Sequence, residues 1–127
     1  MTSIHFSNFA NFINGRPYAD VILNPAHTSA PTHKCLVDTG ADFTQLPGSA
    51  AALSGLSLAP ATVVAVGTAS GGGFLHRLSG VQISIEGYWV TVDVLFDPTN
   101  KSPAIVGRGA LLAAYQIGFQ PTSWLWL

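Results

Sequence analysis

The sequence predicts a small all-β domain with a folded-over or closed sheet and one or two short helices. Three observations predict it. Apolar, β-branched runs of four to nine residues recur along the chain. Turn signals such as Asn14-Gly15, Asn24-Pro25, Glu86-Gly87 and Asp97-Pro98 separate them. Helical patterning is confined to short alanine-rich stretches. At 127 residues the chain is one domain, 1–127, large enough for one core.

Taken in order, residues 4–13 carry Ile4, Phe6, Phe9, Phe12 and Ile13 among polar residues, as a short strand or an irregular arm. Tyr18 to Leu23 reads as a strand, residues 25–32 as a loop, and His33 to Val37 as a strand ending at Asp38. Phe43 to Leu46 is a further short strand. Ser49 is placed to cap a helix over Ala50 to Leu53, with Gly55 ending it. Ala61 to Val66 is a strand, and Thr68 to Gly73 a small glycine-rich tip. Phe74 to Leu78 and Val81 to Ile85 continue in strand-like fashion, with Val81, Ile83 and Ile85 alternating cleanly, and Tyr88 to Phe96 is a second strong strand. Ala104 to Val106 is a buried strand. Gly109 to Tyr115 holds the best helical segment, and Ile117 to Phe119 and Trp124 to Leu127 are terminal strands.

Composition narrows the function classes. Charged residues make up 9% against 48% hydrophobic, where about 25% charged is usual for soluble domains. No run approaches the roughly 18 apolar residues of a membrane span. An apolar interface with a partner is therefore expected. Net charge is −1 with no basic stripe, which argues against nucleic acid. The single cysteine, Cys35, reads as a core residue. The histidines His5, His27, His33 and His76 lack ligand spacing, so neither a metal nor a cofactor is expected. Met1 to Asn11 has neither a basic flank nor a continuous apolar run, so a cytoplasmic location is expected. The product is either free-standing, as Met1 suggests, or cut from a polyprotein.

The chemistry centres on Cys35-Leu36-Val37-Asp38-Thr39-Gly40-Ala41-Asp42. An apolar run delivers a carboxylate at its end, and burying such a group is costly unless it is hydrogen-bonded. A plain strand-ending turn is the bland reading of Asp-Thr-Gly. Two further segments favour a functional one: Gly71-Gly72-Gly73-Phe74, and Ala104-Ile105-Val106-Gly107-Arg108. One carboxylate does not supply both the base that activates water and the acid that protonates a leaving amine. Two carboxylates held close share one proton and cover both roles. A chain with a single Asp-Thr-Gly obtains the second acid through two-fold symmetry.

Leu36 to Thr44 resembles the active-site loop of the retropepsins, the retroviral-type aspartic proteases, and Ala104 to Leu112 resembles their second signature. Gly71-Gly72-Gly73-Phe74 stands between them, where that family has its flap. The resemblance covers roughly residues 18–119. It implies a closed retropepsin-like barrel with a flap hairpin and a short C-terminal helix, working as a homodimeric aspartic endopeptidase on peptide or protein substrates. It makes Asp38 the catalytic acid and base. Thr39 would brace the two loops across the dimer, and Gly40 would accept a substrate hydrogen bond. Ala41 would keep the site small, and Asp42 would bind substrate main chain and pair with a semi-buried Arg108 that follows Gly107. Gly71, Gly72 and Gly73 would form the flap, with the Gly71 N–H nearest the substrate. Leu36, Phe43, Leu46, Phe74 and Leu75 are candidate pocket walls. Gly109 stands where the family has a polar residue, so a looser helix start is expected, and Trp124 to Leu127 is expected to pair across the dimer. The rival reading is a non-catalytic peptide-binding or dimerisation module on the same fold.

Overall fold

The computed structural model describes residues 5–68 and 71–127. Met1 to Ile4, and Ala69 and Ser70 in the expected glycine-rich tip, lie outside them. Among the described residues the chain forms ten strands and two short helices. The strands are β1 (Asn8–Asn11), β2 (Tyr18–Leu23), β3 (Thr32–Asp38), β4 (Thr44–Pro47), β5 (Thr62–Thr68), β6 (Gly71–Ile85), β7 (Tyr88–Asp97), β8 (Ile105–Gly107), β9 (Ile117–Gln120) and β10 (Ser123–Trp126). The helices are α1 (Gly48–Leu53) and α2 (Arg108–Ala114).

Six strands close into a barrel in the order β2-β3-β8-β4-β7-β6, with β6 returning to β2 through Val21↔Ile85 and Leu23↔Ile83. The interior follows from period-2 alternation. Ala19, Val21 and Leu23 of β2 are fully buried, as are Cys35 on β3, Ile83 and Ile85 on β6, and Val94 and Phe96 on β7. No helix among the described residues is long and apolar enough to cross a membrane.

The strand-like stretches Phe74 to Leu78 and Val81 to Ile85 both lie in one 15-residue strand, β6. Ser79-Gly80, between those stretches, forms a β-bulge between Leu78 and Val81. Gly80 takes φ +68 there, a value glycine adopts without strain. Of the expected tip Thr68 to Gly73, the described residues Thr68 and Gly71 to Gly73 belong to strands, since Thr68 faces Gly71 and Val66 faces Gly73.

The small sheet β1-β10-β9 joins the barrel core through Trp124 and Trp126. Trp124 is fully buried, stacks on Trp126 at 4.3 Å, and donates its indole N–H to the Tyr18 carbonyl at 3.0 Å. β10 is the central strand, paired with β1 on one side and β9 on the other. This corrects the expectation that Trp124 to Leu127 pairs across a dimer: both edges of β10 are taken within its own chain. The free edges of this sheet belong to β1 and β9, which carry the exposed Phe9 and Phe119.

A second correction concerns α1. Ser49 does not cap it, because Pro47 occupies the cap position. The Ser49 N–H, which would otherwise be an orphan of the first turn, donates to Asn100 Oδ1 at 2.9 Å. Asn100 is positioned by the turn after β7, which Asp97 organises. That carboxylate is 4% exposed. It accepts hydrogen bonds from the Thr99 N–H and hydroxyl at 2.8 and 2.7 Å. It also accepts from the N–H groups of Lys101 and Ser102 at 3.1 and 2.8 Å. The Thr99 hydroxyl first, then Ser102, hold the Asp97 carboxyl well below the usual carboxylate range.

A carboxyl depressed in the folded state adds stability above its unfolded value, and that contribution is lost as pH falls toward the folded value. Asp97→Asn is therefore expected to cost about 2 kcal/mol at pH 7. Denaturant unfolding should show the deficit narrowing below about pH 4. An equal deficit at pH 7 and pH 3 would show that the charge on Asp97 contributes nothing.

Candidate active site

Asp38 ends β3, and residues 39–43 return the chain to β4. These two strands are not neighbours, because β8 lies between them. β8 runs parallel to β3 through Leu36↔Ile105, Val37↔Val106 and Asp38↔Gly107. It runs antiparallel to β4 at Gln45↔Ile105. The acidic loop must therefore pass over the end of β8, where Gly107 sits.

That crossing leaves no room for a side chain. A Cβ on Gly107 would run into the Phe43 carbonyl group and come within 2.9 Å of the Ala41 oxygen. The backbone around it holds the loop. The Arg108 N–H donates to the Ala41 carbonyl at 2.7 Å and the Gly109 N–H to the Asp42 carbonyl at 3.2 Å. The Gly107 N–H donates to the Thr44 hydroxyl at 3.2 Å, and this hydroxyl is buried. Gly109 is thus a holding point rather than the looser helix start expected.

Within the loop, the Gly40 N–H donates to Asp38 Oδ1 at 3.0 Å and the Ala41 N–H to the Asp38 carbonyl at 3.2 Å. The Asp38 residue is half-buried, while Thr39 and Gly40 are exposed. Asp42 and Arg108 form the expected ion pair. Arg108 is not semi-buried, however: the two side chains are 67% and 53% exposed, and a pair so open to water adds little stability. The loop is held by backbone groups first.

Strand register fixes which way Asp38 faces. Tyr18, Leu36, Ile105, Gln45, Leu95, Arg77 and Thr62 are partners in one continuous row across seven strands. Partners share a face, and Asp38, two residues beyond Leu36, shares it too. It is the outward face, since Val37, Val106, Leu46 and Phe96 of the alternate positions fill the barrel. This corrects one candidate pocket wall. Leu46 is fully buried in the interior and lines no surface pocket. Leu36 is half-buried on the outward face, and Phe43 and Phe74 are exposed. Leu75 is 6% exposed yet stands apart from the barrel cluster.

The structure brings together Asp38, Gly40, Ala41, Asp42, Gly107 and Arg108. Gly71, Gly72 and Gly73 lie on another element, the β5–β6 hairpin, and a Cβ on Gly73 would meet nothing within 4 Å. Two residues that sequence reasoning passed over stand at the hairpin's base. Arg77 donates to Asp93 Oδ2 from Nε at 3.0 Å and from Nη2 at 2.7 Å. Its guanidinium lies 4.8 Å from the centre of the Phe43 ring. A cavity of about 250 Å³ beside the loop is lined by Asp42, Phe43, Thr44, Val92, Asp93, Gly109 and Ala110. Two other groups carry no site chemistry. Burial pushes the Cys35 thiol up to about 12, which keeps it un-ionised at neutral pH. Among the described residues no three His, Cys, Asp or Glu side chains are grouped to hold a metal.

No family model matches the chain, and no curated protein matches it.

Gly107→Ala tests the crossing directly. Its new methyl meets backbone rather than a pliant side chain, so a loss of about 3 kcal/mol is expected. Changes in amide chemical shifts should centre on residues 40–44. Wild-type stability in this variant would show that the loop does not depend on the crossing.

Proposed function

We propose that the chain is an aspartic endopeptidase of the retropepsin kind, active as a homodimer in which Asp38 of each copy meets at a two-fold axis. The observation that carries this reading is the threading of Gly107-Arg108 beneath the loop that follows Asp38. A turn that merely ended a strand would not need two backbone N–H groups from a segment 66 residues away, as Asp42 and Arg108 are. A carboxylate that must meet a second one does need such fixing, because charge placement in catalysis tolerates little error.

In this mechanism the two carboxylates share one proton. The ionised one takes a proton from a bound water, and the protonated one gives its proton to the carbonyl oxygen as the water attacks. Proton transfer to the nitrogen then releases the amine. No covalent enzyme intermediate forms. Extended substrates would lie along the outward face and pair with backbone, with apolar side chains beside Leu36, Ile105 and Phe43. The β5–β6 hairpin would serve as the flap, its glycines letting backbone N–H groups approach the substrate. Phe9 and Phe119, 65% and 50% exposed on the free edges of the small sheet, provide apolar surface for association.

Cleavage of a mixed peptide library between about pH 3 and 7 tests the proposal. The wild type should cut best at mildly acidic pH with a bell-shaped profile that belongs to the carboxylate pair. Asp38→Asn should lower the rate at least about a hundredfold. A well-folded wild-type dimer that cuts nothing would instead favour the non-catalytic peptide-binding module.

A further inference from the structure

The outer part of the β5–β6 hairpin stands away from the barrel. Beyond His76, β6 no longer pairs with β7, and residues 71–75 pair with β5 alone. His76 and Arg77 are thus the last residues before the arm leaves the sheet. On the other side of Arg77 lies the bulge at Leu78 to Val81, which bends the strand locally. An arm that emerges between a bulge and a free end takes its direction from whatever holds its base.

What holds it is one cluster. Asp93 of β7 accepts the Gly80 N–H through Oδ1 at 3.3 Å, which fixes the bulge. Through Oδ2 it accepts two guanidinium N–H groups of Arg77. Arg77 Cζ in turn lies over the Phe43 ring, 4.8 Å from its centre, a cation–π contact. Phe43 belongs to the acidic loop, and its carbonyl group rests on Gly107. A continuous path therefore runs from the arm's base through Arg77 and Phe43 to the loop that presents Asp38. Arg77 makes none of the hydrogen bonds that hold the Asp38 carboxylate.

We propose that Arg77 is a positioning residue that couples the hairpin to the acidic loop through Phe43, setting the hairpin over bound peptide. The proposal rests on the reading of Asp38 as the catalytic carboxylate only for its effect on peptide cleavage. The coupling itself is independent of activity.

Amide hydrogen exchange on the full chain tests the coupling. Arg77→Met should speed exchange by about tenfold in residues 62–68 and 71–77, and also in residues 41–44, while β2 and β10 are unchanged. Coupling is reciprocal, so Phe43→Leu should speed exchange in 71–77, an element it does not belong to. Arg77→Lys keeps the charge opposite Asp93 but loses the planar stack. It should fold normally and still loosen 41–44. In peptide cleavage, Arg77→Met should raise KM about tenfold, with a smaller fall in kcat that follows from the loosened 41–44 segment. Combining it with Phe43→Leu should add little further loss. Exchange that rises only around the substituted residue overturns the coupling, whatever the activity. Coupled exchange in a wild type that cuts no peptide would overturn the protease reading and leave the coupling standing. An equal fall in kcat with KM unchanged would overturn the role in setting the hairpin over substrate.

Discussion

The rest of the structure depends on one close approach: β8 passes between β3 and β4, and the loop joining those strands lies directly on Gly107. Only a residue without a Cβ permits this contact. Once it is made, the loop's carbonyl groups fall within reach of the N–H groups of Arg108 and Gly109 at the start of α2. These are donors that a helix start leaves without intrahelical partners, and the loop satisfies them. The two segments thus complete each other's backbone hydrogen bonding, and Asp38 is held at the edge of that joint. The Asp42–Arg108 pair lies outside it, largely in water, and acts as an accessory.

A second division of labour lies along β6. Its second half closes the barrel against β2, with Ile83 and Ile85 fully buried. Its first half leaves the barrel as a hairpin arm. The bulge at Ser79-Gly80 separates these duties, and Asp93 stands at the boundary. The Arg77 guanidinium beside it holds the Asp93 carboxyl below its ordinary value, so the pair stays charged through the mildly acidic range where two carboxylates sharing a proton would work. The same logic applies to Asp97, whose carboxyl the Thr99 hydroxyl and Ser102 hold below the usual range, so it too stays charged in that mildly acidic range.

Much of this was legible in the sequence because alternation and turn chemistry are local. Tyr18 to Leu23 is a strand with the expected bounds, Asn14-Gly15 takes the positive φ values its residue types favour, and Gly87 does so in the turn after Glu86. Asp38, Gly107 and Arg108 stood out as a chemical pattern. What was not legible is long-range. Ser79-Gly80 looks the same in a turn as in a bulge, and only pairing with β7 decides. Ser49 is a good cap by type, but Pro47 and the distant Asn100 take over that work. Strand β4 starts one residue later than expected, and alternation turns Leu46 into the barrel. Arg77 and Asp93 meet across a register that no local pattern announces. The aromatic end of the chain was read as an interface from the resemblance alone; β9 is its local hairpin partner, but β1, which takes its other edge, comes from the opposite end of the sequence.

The central claim is that the site is half of a pair. It is tested most directly by mixing wild-type chains with Asp38→Asn chains in varied proportion, letting them exchange partners, and measuring peptide cleavage at fixed total protein. If each site needs Asp38 from two copies, only wild-type pairs cut, and activity follows the square of the wild-type fraction. A linear dependence would contradict the account by showing that one chain suffices.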